Sequence, residues 1–281
     1  MNFIDLKAHA KVNIGLQVKD RREDGFHNIH TIFQELEVHD LIVLEKQNRD
    51  WSIKINDPKI PTDKSNTCVR AYNSLKKRFP HIGGIAITLN KNIPTGAGLG
   101  GGSSDAAAVL KGLIKLYSLT LDSQELLDIA VKIGADVPFF ISGGTQLGNG
   151  IGEILSPIKE SISGYYLLVI PDIFISTAWA YQALKKTLKE YTDRPNFAHF
   201  FERENLSKVI FDNDFERIVI PTYPKIGEIM DGLTETGANY ASLSGSGSTV
   251  FGIYDDEAKA KQAESYFQKQ YHTLLTRPTN I

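Results

Sequence analysis

The sequence predicts an α+β protein in two parts, on three observations. Short period-two segments such as AKVNIGLQV at residues 10–18 are mixed with amphipathic helical stretches such as LDSQELLDIAVKIG at 121–134. The two kinds do not alternate with the regularity of a wound βαβ sheet. Two segments, at 94–108 and 142–153, concentrate glycine between such elements, as loops that need unusual backbone conformations do. With 281 residues and 42% hydrophobic side chains, the chain is long enough for one or two domains with sizeable cores.

In order, residues 10–18 place Val12, Ile14, Leu16 and Val18 on one face of a strand and Lys11, Asn13, Gly15 and Gln17 on the other, leaving the polar face available. DRREDG at 20–25 is turn chemistry ending in Asp-Gly, and FHNIHTIFQELEV at 26–38 is the returning strand. LIVLE at 41–45 and WSIKI at 51–55 predict further short strands, residues 66–79 a helix, and GIAITLN at 84–90 a strand leading toward the glycines.

Five glycines fall in the seven positions 96–102, and alanines follow at once. Leu110, Leu113, Ile114 and Tyr117 then recur at helical spacing, so the glycines feed a helix and are not a linker. Ser103 or Ser104 is expected as its N-cap, and Asp105 suits the positive end of its dipole. In the next helix Leu126, Leu127, Ala130 and Ile133 form the apolar stripe, with Asp122 or Ser123 as cap and Gly134 as stop. A domain boundary is expected at 155–164, where SPIKESISG precedes the strand-like YYLLVI. The second half alternates helices and strands, among them the helical AWAYQAL at 178–184 and ASLSGSGSTVFGIY at 241–254, a small-residue turn running into a strand.

Composition removes several function classes. Thirty-one basic against 33 acidic side chains give a net charge of −2, and the longest basic run is Lys76-Lys77-Arg78, so no nucleic-acid surface is expected. The single cysteine, Cys68, excludes an internal disulfide and a thiolate zinc site. No stretch of about 18 consecutive apolar residues is present, and the first residues lack a signal-peptide pattern, so a cytoplasmic protein without a membrane partner is expected.

A glycine-rich loop feeding a helix N-terminus is an anion site, because the first N–H groups and the dipole both favour phosphate. Gly96, Gly98 and Gly101 satisfy the dinucleotide spacing G-x-G-x-x-G. That fingerprint needs a strand running directly into the first glycine and an acid ending a second strand about 20 positions on. Here NKNIPT intervenes, and Asp122 stands at a helix start. A P-loop is excluded because no lysine follows the last glycine, and the protein-kinase His-Arg-Asp and Asp-Phe-Gly segments are absent.

PTGAGLGGGSSDAA resembles the P-x-G-x-G-L-G-S/G-S-S-A/D nucleotide loop of the GHMP small-molecule kinases, the family of galactokinase, homoserine kinase and mevalonate kinase. AKVNIGLQVKDRREDGFHNIHT, GADVPFF and LSGSGS stand in the order and spacing of one branch, whose substrate is a cytidine diphosphate-linked sugar alcohol, and together the motifs span residues 8–252. The resemblance implies the GHMP kinase fold: two α/β sandwich-like domains with the active site in the cleft between them. Residues 1–158 would form the N-terminal domain with the ATP loop, and 159–281 a ferredoxin-like C-terminal domain. It also implies ATP as co-substrate, Mg²⁺ as its counterion, a 2-hydroxyl as acceptor, a place in non-mevalonate isoprenoid biosynthesis, and a monomer or weak homodimer.

Carried residue by residue, the resemblance gives the phosphates to Pro94, Thr95, Gly96, Ala97, Gly98, Leu99, Gly100, Gly101, Gly102, Ser103 and Ser104, with Ser104 touching the metal or a phosphate. Asn66 matches an adenine-pocket position loosely. Asp136 is implied as the general base, although D-x-P is also an ordinary helix-start signal. Lys11 is implied beside base and acceptor, where its charge lowers the carboxylate pKa and steadies the transferring group; otherwise it is a surface lysine on a strand. Asn13 would bond the acceptor or the aspartate. Phe26 and Tyr181 match the pair that sandwiches cytosine, His27 would read the base edge, and Thr177 would contact the diphosphate. Tyr181 fits a core aromatic equally well. Phe26 stands where the family has tyrosine, and His9 where it has proline or serine. A homoserine- or mevalonate-type kinase and a non-catalytic nucleotide sensor of the same fold are the alternatives.

Overall fold

The computed structural model describes residues 2–159, 162–184, 197 and 210–279. The chain falls into two compact units that are discontinuous in sequence. One takes Met1–Ala10, Val38–Thr95 and Gly100–Gly143; the other takes Lys11–Glu37, Gly96–Leu99 and Gly144–Ile281. Two long strands, β1 (Phe3–Arg21) and β2 (His27–Gln47), contribute to both.

In the first unit, β3 (Trp51–Ile55) runs parallel to β4 (Gly84–Asn90), with Trp51 opposite Ile85 and Ile55 opposite Leu89. A parallel pair needs a crossover, and α1 (Thr67–Arg78) supplies it. β4 is antiparallel to the end of β2, with Leu41 opposite Asn90 and Gln47 opposite Gly84, and β1 pairs with β2. Three helices follow: α2 (Gly101–Tyr117), α3 (Ser123–Ile133) and α4 (Val137–Ser142). α2 lies so close to the sheet that a Cβ at Gly112 would stand 2.5 Å from Leu6 and 2.6 Å from Leu44. The core between them is aliphatic: Ala107, Leu110 and Leu113 of α2, Val69 and Leu75 of α1, and Ile85, Ile87 and Leu89 of β4. Asp122 caps α3 as expected, its carboxylate accepting from the Glu125 N–H at 2.7 Å, and Gly134 ends the helix.

The expected strands at 26–38 and 41–45 are one continuous strand. The polar residues between them do not interrupt it, because Asp40 is buried and accepts the N–H groups of Asn92 and Ile93 at 2.5 and 2.8 Å.

In the second unit, the first half of β2 pairs antiparallel with β5 (Thr145–Asn149), which pairs with β6 (Ile154–Pro157). A four-stranded antiparallel sheet follows, made of β7 (Tyr165–Ile170), β8 (Tyr240–Leu243), β9 (Val250–Tyr254) and β10 (His272–Thr276) in the order β10-β7-β9-β8. Among the described residues its helices are α5 (Thr177–Leu184), α6 (Glu216–Thr222), α7 (Pro224–Glu235) and α8 (Glu257–Phe267). Leu167, Val169, Val219, Ile229, Leu233, Val250 and Phe267 fill the core with Leu16 and Val18 of β1. Burying such side chains contributes roughly 1.5–3 kcal/mol each.

The alternation along β1 is present, but its polar face is not open: Lys11, Asn13 and Gln17 are 2–3% exposed. Buried polar groups must be bonded, and these bonds organise the site.

Candidate active site

The glycine segment is built by its backbone. Gly96, Gly98 and Gly100 have φ of 70°, 81° and 72°, a left-handed conformation at every second residue. At Gly98 sterics add to the requirement, since a Cβ would stand 2.2 Å from the Ser244 carbonyl oxygen. Gly100, not Ser103 or Ser104, is the N-cap of α2, and no side chain caps it. The serines lie inside the first turn, where their N–H groups donate to the Gly100 carbonyl at 3.0 and 2.9 Å. The N–H groups of Gly101 and Gly102 stand one turn too early for an intrahelical bond and are the orphan donors an anion can take.

Asp105 does not serve the helix dipole. It is buried and bonded to the Lys91 ammonium at 2.8 Å, and Lys91 also binds the buried Asp40. Two carboxylates and one ammonium are thus enclosed beneath the start of α2, and a Cβ at Gly101 would stand 3.1 Å from the Lys91 nitrogen. The Asp105 Oδ1 atom is buried without a hydrogen-bond partner. Burial pushes this carboxyl up to about 7, and the neighbouring Lys91 charge acts against the rise.

Asn66 is the N-cap of α1, with Oδ1 accepting from the Cys68 N–H at 2.9 Å and Nδ2 donating to the Pro61 carbonyl at 2.8 Å. Its amide therefore serves the fold. It nonetheless stands beside the glycine segment, because the next residue, Thr67, donates its hydroxyl to the Gly102 carbonyl at 2.8 Å.

Asp136 is half-buried at the N-cap position of α4, with Pro138 in the first turn, as D-x-P predicts. Its carboxylate makes no capping bond to the α4 N-terminus.

Lys11 joins two segments of the second unit that lie far apart in sequence. Its ammonium donates to Asn13 Oδ1 at 2.6 Å and to the Gly98 carbonyl at 2.9 Å, and stands 5.8 Å from the centre of the Phe33 ring. A surface-lysine role is excluded by its 3% exposure. Asn13 donates in turn to Thr31 Oγ1 at 3.0 Å, and Thr31 to the Gly15 carbonyl at 2.6 Å. The LSGSGS segment closes on the same place, with Ser244 Oγ donating to the Gly98 carbonyl at 2.9 Å.

Among the residues expected to read a base, Tyr181 stacks on His27, with ring centroids 5.1 Å apart and planes 17° from parallel. It also meets Phe215 edge-on at 4.9 Å, which fixes the ring in place. Phe26 is 56% exposed at the tip of the β1–β2 turn, where its N–H donates to Asp24 Oδ1 at 3.1 Å. Thr177 begins α5 and shares a 3.1 Å hydroxyl contact with Ser246. Thr31, Ser244 and Asn213 are bonded into these groups without having been singled out from the sequence. Thr31 and Ser244 could have been found, since they lie inside the quoted AKVNIGLQVKDRREDGFHNIHT and LSGSGS motifs; Asn213 has no local signal.

Comparisons with known proteins give the family of the chain. Residues 66–144 match the GHMP kinases N terminal domain and residues 193–273 the GHMP kinases C terminal. The chain is 40% identical over 275 residues to the 4-diphosphocytidyl-2-C-methyl-D-erythritol kinase of Syntrophomonas wolfei, covering 97% of this chain and 96% of the relative. A crystal structure of 4-(cytidine 5'-diphospho)-2C-methyl-D-erythritol kinase superposes with a TM-score of 0.84 at 31% identity, covering 99% of this chain and all of the other. Homoserine kinase from Cytophaga hutchinsonii superposes with a TM-score of 0.77 over 99% of this chain and 95% of the other, but at 17% identity that likeness shows the fold alone.

Proposed function

The chain belongs to the GHMP kinase family, and from that premise we propose that it transfers the γ-phosphoryl group of ATP to the 2-hydroxyl of 4-diphosphocytidyl-2-C-methyl-D-erythritol, giving the 2-phosphate in isoprenoid biosynthesis. The observation that carries the branch is 40% identity along nearly the whole chain to a kinase of that name. Homoserine- or mevalonate-type specificity is not favoured. A non-catalytic sensor is not favoured either, since Lys11, Asp136 and both glycine loops are all retained.

In the transfer the acceptor oxygen bonds to the γ-phosphorus, the bond to the β,γ-bridging oxygen breaks, ADP leaves, and the hydroxyl proton passes to a base. The loop from Pro94 to Ser104 holds the phosphates, with the N–H groups of Gly101 and Gly102 donating. Lys11 supplies positive charge to the transferring group; what supports this is its bond to the Gly98 carbonyl, which ties the ammonium to the phosphate loop. Asn13 sets the direction of that ammonium and contacts the acceptor. Asp136 takes the proton, supported by a carboxylate that its helix does not use as a cap.

Mg²⁺ takes oxygen donors from phosphates and water plus one or two protein oxygens, and the Ser104 hydroxyl in the first turn of α2 fits that donor set. When bound, the ion neutralises the triphosphate. Asn66, at the start of α1 beside Gly102, borders the adenine. Phe26, His27, Tyr181 and Thr177 receive the cytidine diphosphate, with Tyr181 and His27 as a preformed stacked pair and Phe26 as the exposed ring that closes on the base. Residues 1–158 act as the half carrying the ATP loop and 159–281 as the C-terminal half. The chain works as a monomer or weak homodimer in the cytoplasm; no described helix is long and apolar enough to cross a membrane.

An ADP-release assay with homoserine, mevalonate and the diphosphocytidyl alcohol tests this directly. Turnover is expected with the last alone; turnover with either of the others and none with the last would overturn the proposal.

A further inference from the structure

Asn213 lies outside every motif that points to the reaction, yet its amide is committed to one place. It is 1% exposed, and Nδ2 donates to the carbonyls of Leu243 and Gly245, both at 2.8 Å, while Oδ1 accepts from the Phe215 N–H at 3.0 Å. A side-chain amide has two N–H groups, and here both hold a single loop.

The segment around Asn213 is also clipped to β1. The Leu16 N–H donates to the Asp212 carbonyl at 2.9 Å, the Asp214 N–H to the Leu16 carbonyl at 2.8 Å, and the Val18 N–H to Asp214 Oδ2 at 2.7 Å. One short segment thus joins the strand that carries Lys11 and Asn13 to the glycine-serine loop. That loop is packed on the same residues: a Cβ at Gly245 would stand 3.4 Å from Asn13 Oδ1, 3.6 Å from the Lys11 nitrogen and 3.7 Å from the Gly98 carbonyl oxygen. The Gly98 carbonyl receives both the Lys11 ammonium and the Ser244 hydroxyl, each at 2.9 Å.

We infer that Asn213 is a positioning residue for the phosphoryl transfer: by holding Gly245 from behind, it fixes the wall against which the Lys11 ammonium and the Gly98 carbonyl are set. It touches neither substrate and acts through Lys11, so the inference rests on the role proposed for Lys11. Small displacements of an ammonium that stabilises developing charge lower turnover sharply, because preorganisation is what makes the charge effective.

A double-mutant cycle separates this from simple structural support. Asn213→Ala is expected to lower kcat about tenfold or more in the wild-type background, and to change it less than twofold in a Lys11→Met background, where the residue it positions is gone. Asn213→Asp, of the same volume and still able to accept from the Phe215 N–H, carries the same expectation and serves where the alanine variant does not fold. Equal fold losses in both backgrounds would reduce Asn213 to structural support and overturn the inference. Wild-type kcat in a folded Asn213 variant would overturn it while leaving Lys11 untouched. Wild-type kcat in Lys11→Met would overturn the role of Lys11, and this inference with it.

Discussion

The Lys11 ammonium donates to the Asn13 amide oxygen at 2.6 Å, two positions along the same strand and on the same buried face. The Gly98 carbonyl is a second acceptor, so the ammonium is fixed against the glycine segment, where positive charge can act on a transferring phosphoryl group. Lys11→Met is therefore expected to lower turnover about 10²-fold or more. The fold should be kept, because an apolar chain of similar length fills the same space. Turnover and thermal unfolding of the same sample check both halves; a large drop in melting temperature with turnover kept would reverse the assignment.

Asp136 separates base from cap. Asp136→Asn should reduce kcat about 10²-fold while leaving ATP affinity unchanged, as loss of a proton acceptor does. Loss of a helix cap would instead lower stability by about 1 kcal/mol and leave chemistry alone. Because the carboxylate makes no capping bond, denaturant unfolding is expected to show no loss attributable to a missing cap.

Phe26 and Tyr181 should differ in what their loss costs the protein. Phe26 is exposed at the turn tip, so Phe26→Ala is expected to raise the acceptor KM several-fold, the effect of losing one stacking contact, with ATP KM and melting temperature unchanged. Tyr181 stacks on His27 and meets Phe215, so Tyr181→Ala should raise the acceptor KM and lower the melting temperature together. Steady-state kinetics with each substrate varied in turn reads both; a Phe26 variant that loses both affinities equally would remove it from the acceptor site.

The Lys91 cluster carries a pH dependence of defined sign. Burial raises the folded Asp105 carboxyl to about 7, above its value in the unfolded chain of about 4, so the folded state favours the proton. Its contribution to stability is full below about pH 4 and is lost as pH rises through 7. Asp105→Asn cannot ionise and keeps an acceptor for Lys91. Its melting temperature should therefore gain on that of the wild type between pH 5 and 8, and a difference constant across that range would contradict the assignment. Lys91→Met leaves two buried carboxylates without their cation and is expected to destabilise by about 3–5 kcal/mol at neutral pH, measured by denaturant unfolding.

How much of this was legible in the sequence depended on how local each cause is. The β1 alternation, the Asp122 cap and the glycine segment entering α2 follow from residues within a turn or two of one another, and they were read correctly. The burial of the polar face of β1 was not legible, because it depends on residues that arrive later in the chain, among them Gly98 and the loop at 243–249. The α2 cap was misplaced for a related reason. Serine is the better intrinsic cap, but with Gly100 in the left-handed conformation the first turn begins at Gly101, and both serines fall inside it. Asn213 gave no signal at all, since its partners lie 30 and 32 residues away and an isolated asparagine before a helix has many ordinary uses.

The position of the new phosphate tests the central claim most directly. The 2-carbon of the acceptor bears a methyl group and no hydrogen, so a phosphate on its hydroxyl has no neighbouring carbinol proton. Phosphorus NMR of the product formed from ATP and 4-diphosphocytidyl-2-C-methyl-D-erythritol should show one new phosphomonoester resonance without three-bond coupling to a proton, one ADP per product, and the cytidine diphosphate signals retained. A phosphomonoester split by methylene or methine protons would place the transfer at another hydroxyl, and no new resonance beside active transfer to homoserine or mevalonate would contradict the account.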